Sequence, residues 1–228
     1  MNPEPNASAT ASGSATASGS AKQRMRREVL DRRRHRTPAA AAVADRSLTD
    51  VLLAAPELAG LGPGTTVAGY VPLPGEPSPS GALAELSAAG AQVLLPVLLP
   101  SGDLDWAPAG PGGSAPGSWV LTAARSGTSR PVSAPRGPAA IGGVDAVLVP
   151  GVAGDSGGRR LGRGGGSYDR ALSRLDSAVG GRPWTCLLLW PDEVVARVPA
   201  EAHDRCVDAL ATAAGITRPA GGARVGGR

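Results

Sequence analysis

An α/β fold with three layers, a mostly parallel central sheet carrying helices on both faces, is predicted by three features of the sequence. Short apolar runs that suit buried strands alternate with stretches of helical periodicity. Of the 228 residues, 42% are hydrophobic, enough for one substantial core. A glycine-rich loop, residues 160–169 (RLGRGGGSYD), lies between an apolar run and a helical one, the order of a Rossmann-like βα turn.

Residues 1–21 hold almost only Ala, Ser, Thr, Gly, Asn and Pro. Such a segment buries too little apolar area to offset chain entropy of ~1–2 kcal/mol per residue, so a disordered tail is expected there. A single domain is expected over 22–217, with a frayed tail over 218–228. The helical pattern starts at Lys22, places Met25 and Val29 on one face, and ends near Thr37-Pro38, because the residue before a proline is pushed out of the α region. A second helix is predicted over 39–54. TVAGYVP at 66–72, a helix over 80–89 and AQVLLPV at 91–97 set the βαβ rhythm. Residues 100–138 are rich in Gly, Pro and Ser, with Trp106 and Trp119 as expected core anchors. VDAVLVP at 144–150 then precedes the glycine-rich loop, a helix over 167–179, the strand WTCLLLW at 184–190 and a closing stretch over 204–214.

The formal charge of +4 is unevenly placed. Residues 22–36 carry eight Lys or Arg against Glu28 and Asp31, a local +6 that leaves the rest of the chain at −2. A nucleic-acid surface spread over the fold is therefore not expected, although one basic helix could still meet phosphate. Cys186 lies inside an apolar run and reads as a small buried hydrophobe, and no pairing of Cys186 with Cys206 is implied. No run approaches the ~18–20 apolar residues of a membrane span, and no secretory pattern opens the chain, so a cytoplasmic protein is expected.

The loop follows the apolar run VLVP and precedes a helical stretch, so it falls where open α/β sheets bind ligands. Helix amino ends offer unpaired N–H groups to an anion, and glycines let backbone approach phosphate closely. Neither common phosphate motif is complete. Gly157 and Gly162 have P-loop spacing, but Arg163-Gly164 stands in place of Lys and Ser or Thr. Gly162 and Gly164 begin a dinucleotide fingerprint whose third glycine is Ser167. Taken alone, GRGGG also suits a flexible linker in a glycine- and arginine-rich chain.

The longer run is more specific. Pro150-Gly151-Val152-Ala153-Gly154-Asp155, Gly158 and residues 160–170 resemble, without insertion, the PGxAFDxxGxRLGxGxGYYDR signature of the 5-formyltetrahydrofolate cyclo-ligase family. Three further landmarks occur in the family's order. They are Lys22 with Met25-Arg26, the turn Pro72-Leu73-Pro74-Gly75-Glu76, and Val198-Pro199 with Glu201 and His203-Asp204.

That resemblance implies the cyclo-ligase fold and an ATP- and Mg2+-dependent conversion of 5-formyltetrahydrofolate to 5,10-methenyltetrahydrofolate, ADP and phosphate. It implies ATP contacts from Lys22, Arg26 and the loop residues Arg160, Leu161, Gly162, Arg163, Gly164, Gly165, Gly166, Ser167 and Tyr168. Arg160 and Arg163 would act on the moving phosphoryl group. Glu76, Arg163, Gly164, Gly165, Gly166 and Ser167 would face the folate, and Asp169 and Asp204 would hold magnesium. A monomer without nucleic-acid or membrane partners is expected. Lys22 is the chain's one lysine, and a compact ammonium is not interchangeable with a guanidinium fork.

The chain departs from the family pattern at Gly154, where Phe is usual, at Ser167, where Tyr is usual, and at Ala134, where a Glu precedes Pro. These changes point to a substrate region short of aromatic and acidic groups. They keep open a second reading, a relative that binds nucleotide or folate without turnover.

Overall fold

The computed structural model describes residues 8–110, 121–123, 129–131, 133–178, 181–201 and 204–219. A seven-stranded sheet has the order β11-β10-β9-β6-β1-β2-β3, built from β1 (Thr66–Ala68), β2 (Gln92–Leu98), β3 (Leu104–Pro108), β6 (Ala146–Pro150), β9 (Trp184–Leu188), β10 (Ala209–Thr212) and β11 (Gly215–Thr217). Its five inner strands are parallel, and β3 and β11 close the two edges antiparallel. Two small ladders, β4 (Leu121–Ala123) with β5 (Ser129–Pro131) and β7 (Ala153–Gly154) with β8 (Arg160–Leu161), lie outside it.

Side chains of successive strand residues point to opposite faces, and the core divides accordingly. Val93, Leu95, Leu148 and Leu188 pack on one face under Leu48 and Leu52 of α2 (Pro38–Leu53) and Leu83 and Leu86 of α4 (Ser80–Ala88). Leu94, Val147, Val149 and Leu187 pack on the other against Trp106, Ile141 and Leu172 of α5 (Ser167–Ser173). The expected layers are therefore present. Trp106 is fully buried as a core anchor, whereas Trp119 lies outside the described residues.

Helix boundaries differ from expectation in three places. The first helix, α1 (Ser8–Arg34), takes in residues 8–21, which were expected to be a disordered tail. Alanine has the highest helix propensity, so this Ala-rich stretch can extend a helix already held by packing of Val29 against Val152 and Leu161. Pro38 and Thr37, whose hydroxyl accepts from the Ala40 N–H at 3.3 Å, start α2, and α3 (Pro56–Ala59) adds one turn. The helix after the loop ends at Ser173 and tightens into a 3₁₀ turn at Arg174–Ser177, ahead of a Gly-Gly-Arg-Pro sequence that does not sustain helix; its expected end at Val179 lies outside the described residues. At the C-terminus, Arg218 pairs with Glu57 at 2.8 Å, so the expected fraying does not begin there.

Strand β1 connects through α4 to β2 on one side, while β6 connects through α5 to β9 on the other. The carboxyl ends of β1 and β6 thus flank a topological switch point, where open α/β sheets leave a crevice.

The β2–β3 turn is fastened to the α5 side by an ion pair between Asp103 and Arg174. Burial alone would raise the Asp103 pKa, but the Arg174 hydrogen bonds, the Leu104 N–H and the charges of Arg174 and Arg170 outweigh it and hold this carboxyl below its ordinary value. Because the folded value is the lower one, the pair stabilises above the unfolded pKa of ~3.9 and is lost as pH falls through the folded value. Asp103→Asn is expected to cost about 0.5–1 kcal/mol at pH 7, with a difference that shrinks below pH ~4 in paired urea titrations.

Candidate active site

A cleft of about 520 Å³ opens at the switch point. Tyr70, Val71, Leu73 and Glu76, which follow β1, form one wall, and Pro150 and Gly151 at the end of β6 form another. Gly19, Lys22, Gln23 and Arg26 of α1 cross one side, Glu201 and Asp204 come from the C-terminal segment, and residues 160–169 form the floor. Every residue assigned to the site from the sequence lines this one cleft. His203 lies outside the described residues.

The loop's path depends on glycine at two positions. Gly164 has φ +109° and Gly166 has φ +67°, conformations costly for residues with a Cβ. Ahead of them, Arg26 Nε donates to the Gly162 carbonyl at 2.7 Å, tying α1 to the loop. Ser167 Oγ then donates to the Gly102 carbonyl at 2.5 Å, tying the start of α5 to the β2–β3 turn. Asp155 is buried beneath the loop. Its Oδ1 accepts from Gly157 N at 2.9 Å and Arg159 N at 3.2 Å, and its Oδ2 accepts from Val198 N at 2.8 Å, so it builds the turn rather than facing the cleft.

Three of the four cations of the cleft are held by carboxylates. Lys22 Nζ lies 2.6 Å from Asp204 and 3.3 Å from Glu201. Arg160 Nη2 donates to Asp169 at 2.7 Å, and Arg163 Nε donates to Glu76 at 2.8 Å. The Arg160 guanidinium also lies 5.8 Å from the centre of the Tyr168 ring. Burial, reinforced by the Glu76 charge, pushes the Tyr168 phenol well above its usual range. Its buried hydroxyl has no hydrogen-bond partner among the described residues, so this neutral donor is available to a ligand.

Asp169 and Asp204 satisfy the chemistry of a magnesium site in part. Magnesium commonly takes one or two carboxylates and completes its octahedron with substrate phosphates and water. No group of three or more His, Cys, Asp or Glu side chains that could hold a metal ion occurs among the described residues.

The sequence pattern of the 5-formyltetrahydrofolate cyclo-ligase family matches residues 18–213. The chain belongs to this family. A 5-formyltetrahydrofolate cyclo-ligase from Mycolicibacterium smegmatis is 36% identical over 149 residues, covering 62% of this chain and 70% of that protein. The 5,10-methenyltetrahydrofolate synthetase structure from Aquifex aeolicus is similar with a TM-score of 0.70 at 25% identity, over 91% of this chain and 97% of that one. A 5,10-methenyltetrahydrofolate synthetase from Mycoplasma pneumoniae shares the fold, with a TM-score of 0.63 at 16% identity over 84% and 98% of the two chains.

Two of the three departures from the cyclo-ligase pattern prove to lie away from the cleft. Gly154 is buried in β7, where an added Cβ would meet Leu187 at 2.7 Å, Leu210 at 2.8 Å and Leu189 at 3.0 Å. Three leucines thus fill the space beside it. Ala134 is exposed and lines no part of the cleft. Of the three changes expected to thin out the substrate region, Ser167 alone alters the lining of the cleft.

The residue most completely missed in the sequence is Arg33, one arginine among many on α1. It is 4% exposed and forms a two-pronged pair with Glu193, at 2.7 and 2.8 Å. Beside it, Arg32 and, just beyond the helix, Arg36 pair with Asp192, and Arg36 lies over the Trp190 ring at 4.6 Å, while Arg24 and Arg27 are exposed. Gly154→Phe, which restores the family residue, is expected to destabilise the fold by about 1–3 kcal/mol through overpacking, measured by urea unfolding. Unchanged stability would show that the three leucines yield at little cost.

Proposed function

We propose that the chain converts 5-formyltetrahydrofolate and ATP to 5,10-methenyltetrahydrofolate, ADP and phosphate in a magnesium-dependent reaction. The observation that carries this reading is the convergence of the glycine-rich loop, Lys22 and Arg26, Glu76, Asp169 and Asp204 on one cleft. In the reaction, the formyl oxygen attacks the γ-phosphorus and ADP leaves. The neighbouring anilino nitrogen then closes on the formyl carbon, phosphate departs, and that nitrogen loses its proton.

Phosphoryl transfer needs positioning and charge neutralisation more than a covalent partner from the protein. Lys22 and Arg26 would bind phosphate oxygens from α1, and residues 160–168 would wrap the triphosphate. Arg160 and Arg163 would stabilise charge on the moving group. Asp169 and Asp204 would hold magnesium, which when bound neutralises phosphate charge. Glu76 would accept hydrogen bonds from the pterin N–H edge, while Pro96, Leu98 and Leu104 offer an apolar wall that excludes water.

The pairing of cleft cations with carboxylates gives this proposal a physical form. A magnesium–triphosphate unit carries both kinds of charge, so Lys22 and Arg160 can pass to phosphate while Asp204 and Asp169 pass to the metal. Neither partner is then left buried and uncompensated. No described helix is long and apolar enough to cross a membrane, and both cysteines are free, which suits a reducing compartment such as the cytoplasm. With Gly154 and Ala134 outside the cleft, the reading as a non-catalytic binder is left with Ser167 as its support.

The purified chain with 5-formyltetrahydrofolate, ATP and magnesium is expected to develop the near-ultraviolet absorbance of the methenyl product. Folate binding without that signal would favour the non-catalytic relative. Asp169→Asn is expected to lower turnover by roughly 10²–10³-fold in the folded variant, as for loss of one electrostatic stabiliser of a transition state, with a lowered melting temperature because Arg160 loses its carboxylate. Unchanged turnover at saturating magnesium would remove Asp169 from the metal site.

A further inference from the structure

Glu76 is a carboxylate with two unlike cationic neighbours. Arg163, on the glycine-rich loop, is 2.8 Å away and its side chain is 41% exposed. Arg33, on α1, is 3.7 Å away and its side chain is 2% exposed. The fork of Arg33 spends Nε and Nη2 on Glu193, and Nη2 also donates to the Gly151 carbonyl at 2.6 Å. The remaining nitrogen, Nη1, has no hydrogen-bond partner among the described residues and is the atom nearest Glu76.

The surroundings fix this arrangement rather than leaving it to chance. The Leu73 N–H donates to Glu76 Oε2 at 3.0 Å, and Trp190 Nε1 donates to the Gly75 carbonyl at 2.9 Å, so the turn bearing Glu76 is stitched to the end of β9. Glu193 accepts from the Trp190 N–H at 3.1 Å, which fixes the carboxylate that in turn fixes Arg33. A guanidinium held at three points, with one N–H left over and a second carboxylate beside it, is preorganised for that carboxylate.

In the reaction proposed above, Arg163 has a competing attraction in the triphosphate. When it moves there, Glu76 loses its 2.8 Å partner at the moment it must face the folate. A buried carboxylate without a cation is costly. We infer that Arg33 is the positioning residue of the folate side: it keeps Glu76 partnered and aimed into the cleft after Arg163 has passed to phosphate, through the N–H it holds in reserve. The inference rests on the reading of Glu76 as the folate carboxylate. It also distinguishes two arginines that touch the same oxygen. Arg163 serves both substrates, and Arg33 serves folate alone.

The test compares substrates rather than overall activity. Arg33→Met with Glu193→Gln removes both charges of the buried pair together, so no orphan charge opposes folding. This double variant is expected to raise KM for 5-formyltetrahydrofolate roughly tenfold, the effect of losing a hydrogen bond to a charged group, while KM for ATP stays within about twofold. Arg33→Lys, which keeps a positive charge near Glu76, is expected to recover part of that loss. It carries the same readout by itself if the double variant does not fold. Equal shifts in both KM values, or no shift in the folate value, would overturn the inference. Direct titration of 5-formyltetrahydrofolate in the presence of magnesium and a non-hydrolysable ATP analogue separates this result from the activity reading. A wild-type chain that binds folate without turnover defeats the cyclo-ligase proposal, whereas equal folate affinity in wild type and variants defeats the role of Arg33.

Discussion

The cleft is held in shape by cations and carboxylates that neutralise one another across elements distant in sequence. Lys22 to Asp204 joins the first helix to the C-terminal segment, Arg163 to Glu76 joins the loop to the turn after β1, and Arg160 to Asp169 joins the two ends of the loop itself. Each pair is partly or wholly withdrawn from water, where losing one partner costs more than an exposed ion pair returns. The arrangement therefore restricts what can enter. A ligand that takes the cations must also bring something for the carboxylates, and a metal-bound polyphosphate does so.

The α/β framework supplies what these pairs require. Parallel strands β1 and β6 end together at the switch point and leave their following segments side by side. Apolar packing on both faces of the sheet keeps those ends rigid. Helix α1 packs on the β7–β8 ladder through Val29, Val152 and Leu161, which places Lys22 and Arg26 along the cleft and Arg33 beside Glu76. The loop gains its path from two glycines at positive φ and its anchorage from Arg26, Ser167 and Asp155.

Much of this was legible in the sequence because it depends on local spacing. Alternating strand and helix patterns gave the layers, and the unbroken run from Pro150 to Arg170 identified the loop. What was not legible depends on neighbours remote in the chain. Arg33 cannot be told from Arg32 or Arg34 by periodicity when eight Lys or Arg crowd residues 22–36. Gly154 looked like a missing ring in the substrate region until Leu187, Leu189 and Leu210 were found beside it. Residues 8–21 lack an apolar face and so read as a tail, yet Gly19 borders the cleft on a helix extended from its docked portion.

The account turns on exchange of these ion pairs with a metal-bound polyphosphate, and ATP affinity with and without magnesium tests it most directly. Calorimetric titration is expected to show ATP binding roughly tenfold or more tighter with magnesium, because Asp169 and Asp204, once released from Arg160 and Lys22, would otherwise face phosphate uncompensated. Equal affinity under the two conditions would contradict the exchange and with it the assignment of these carboxylates.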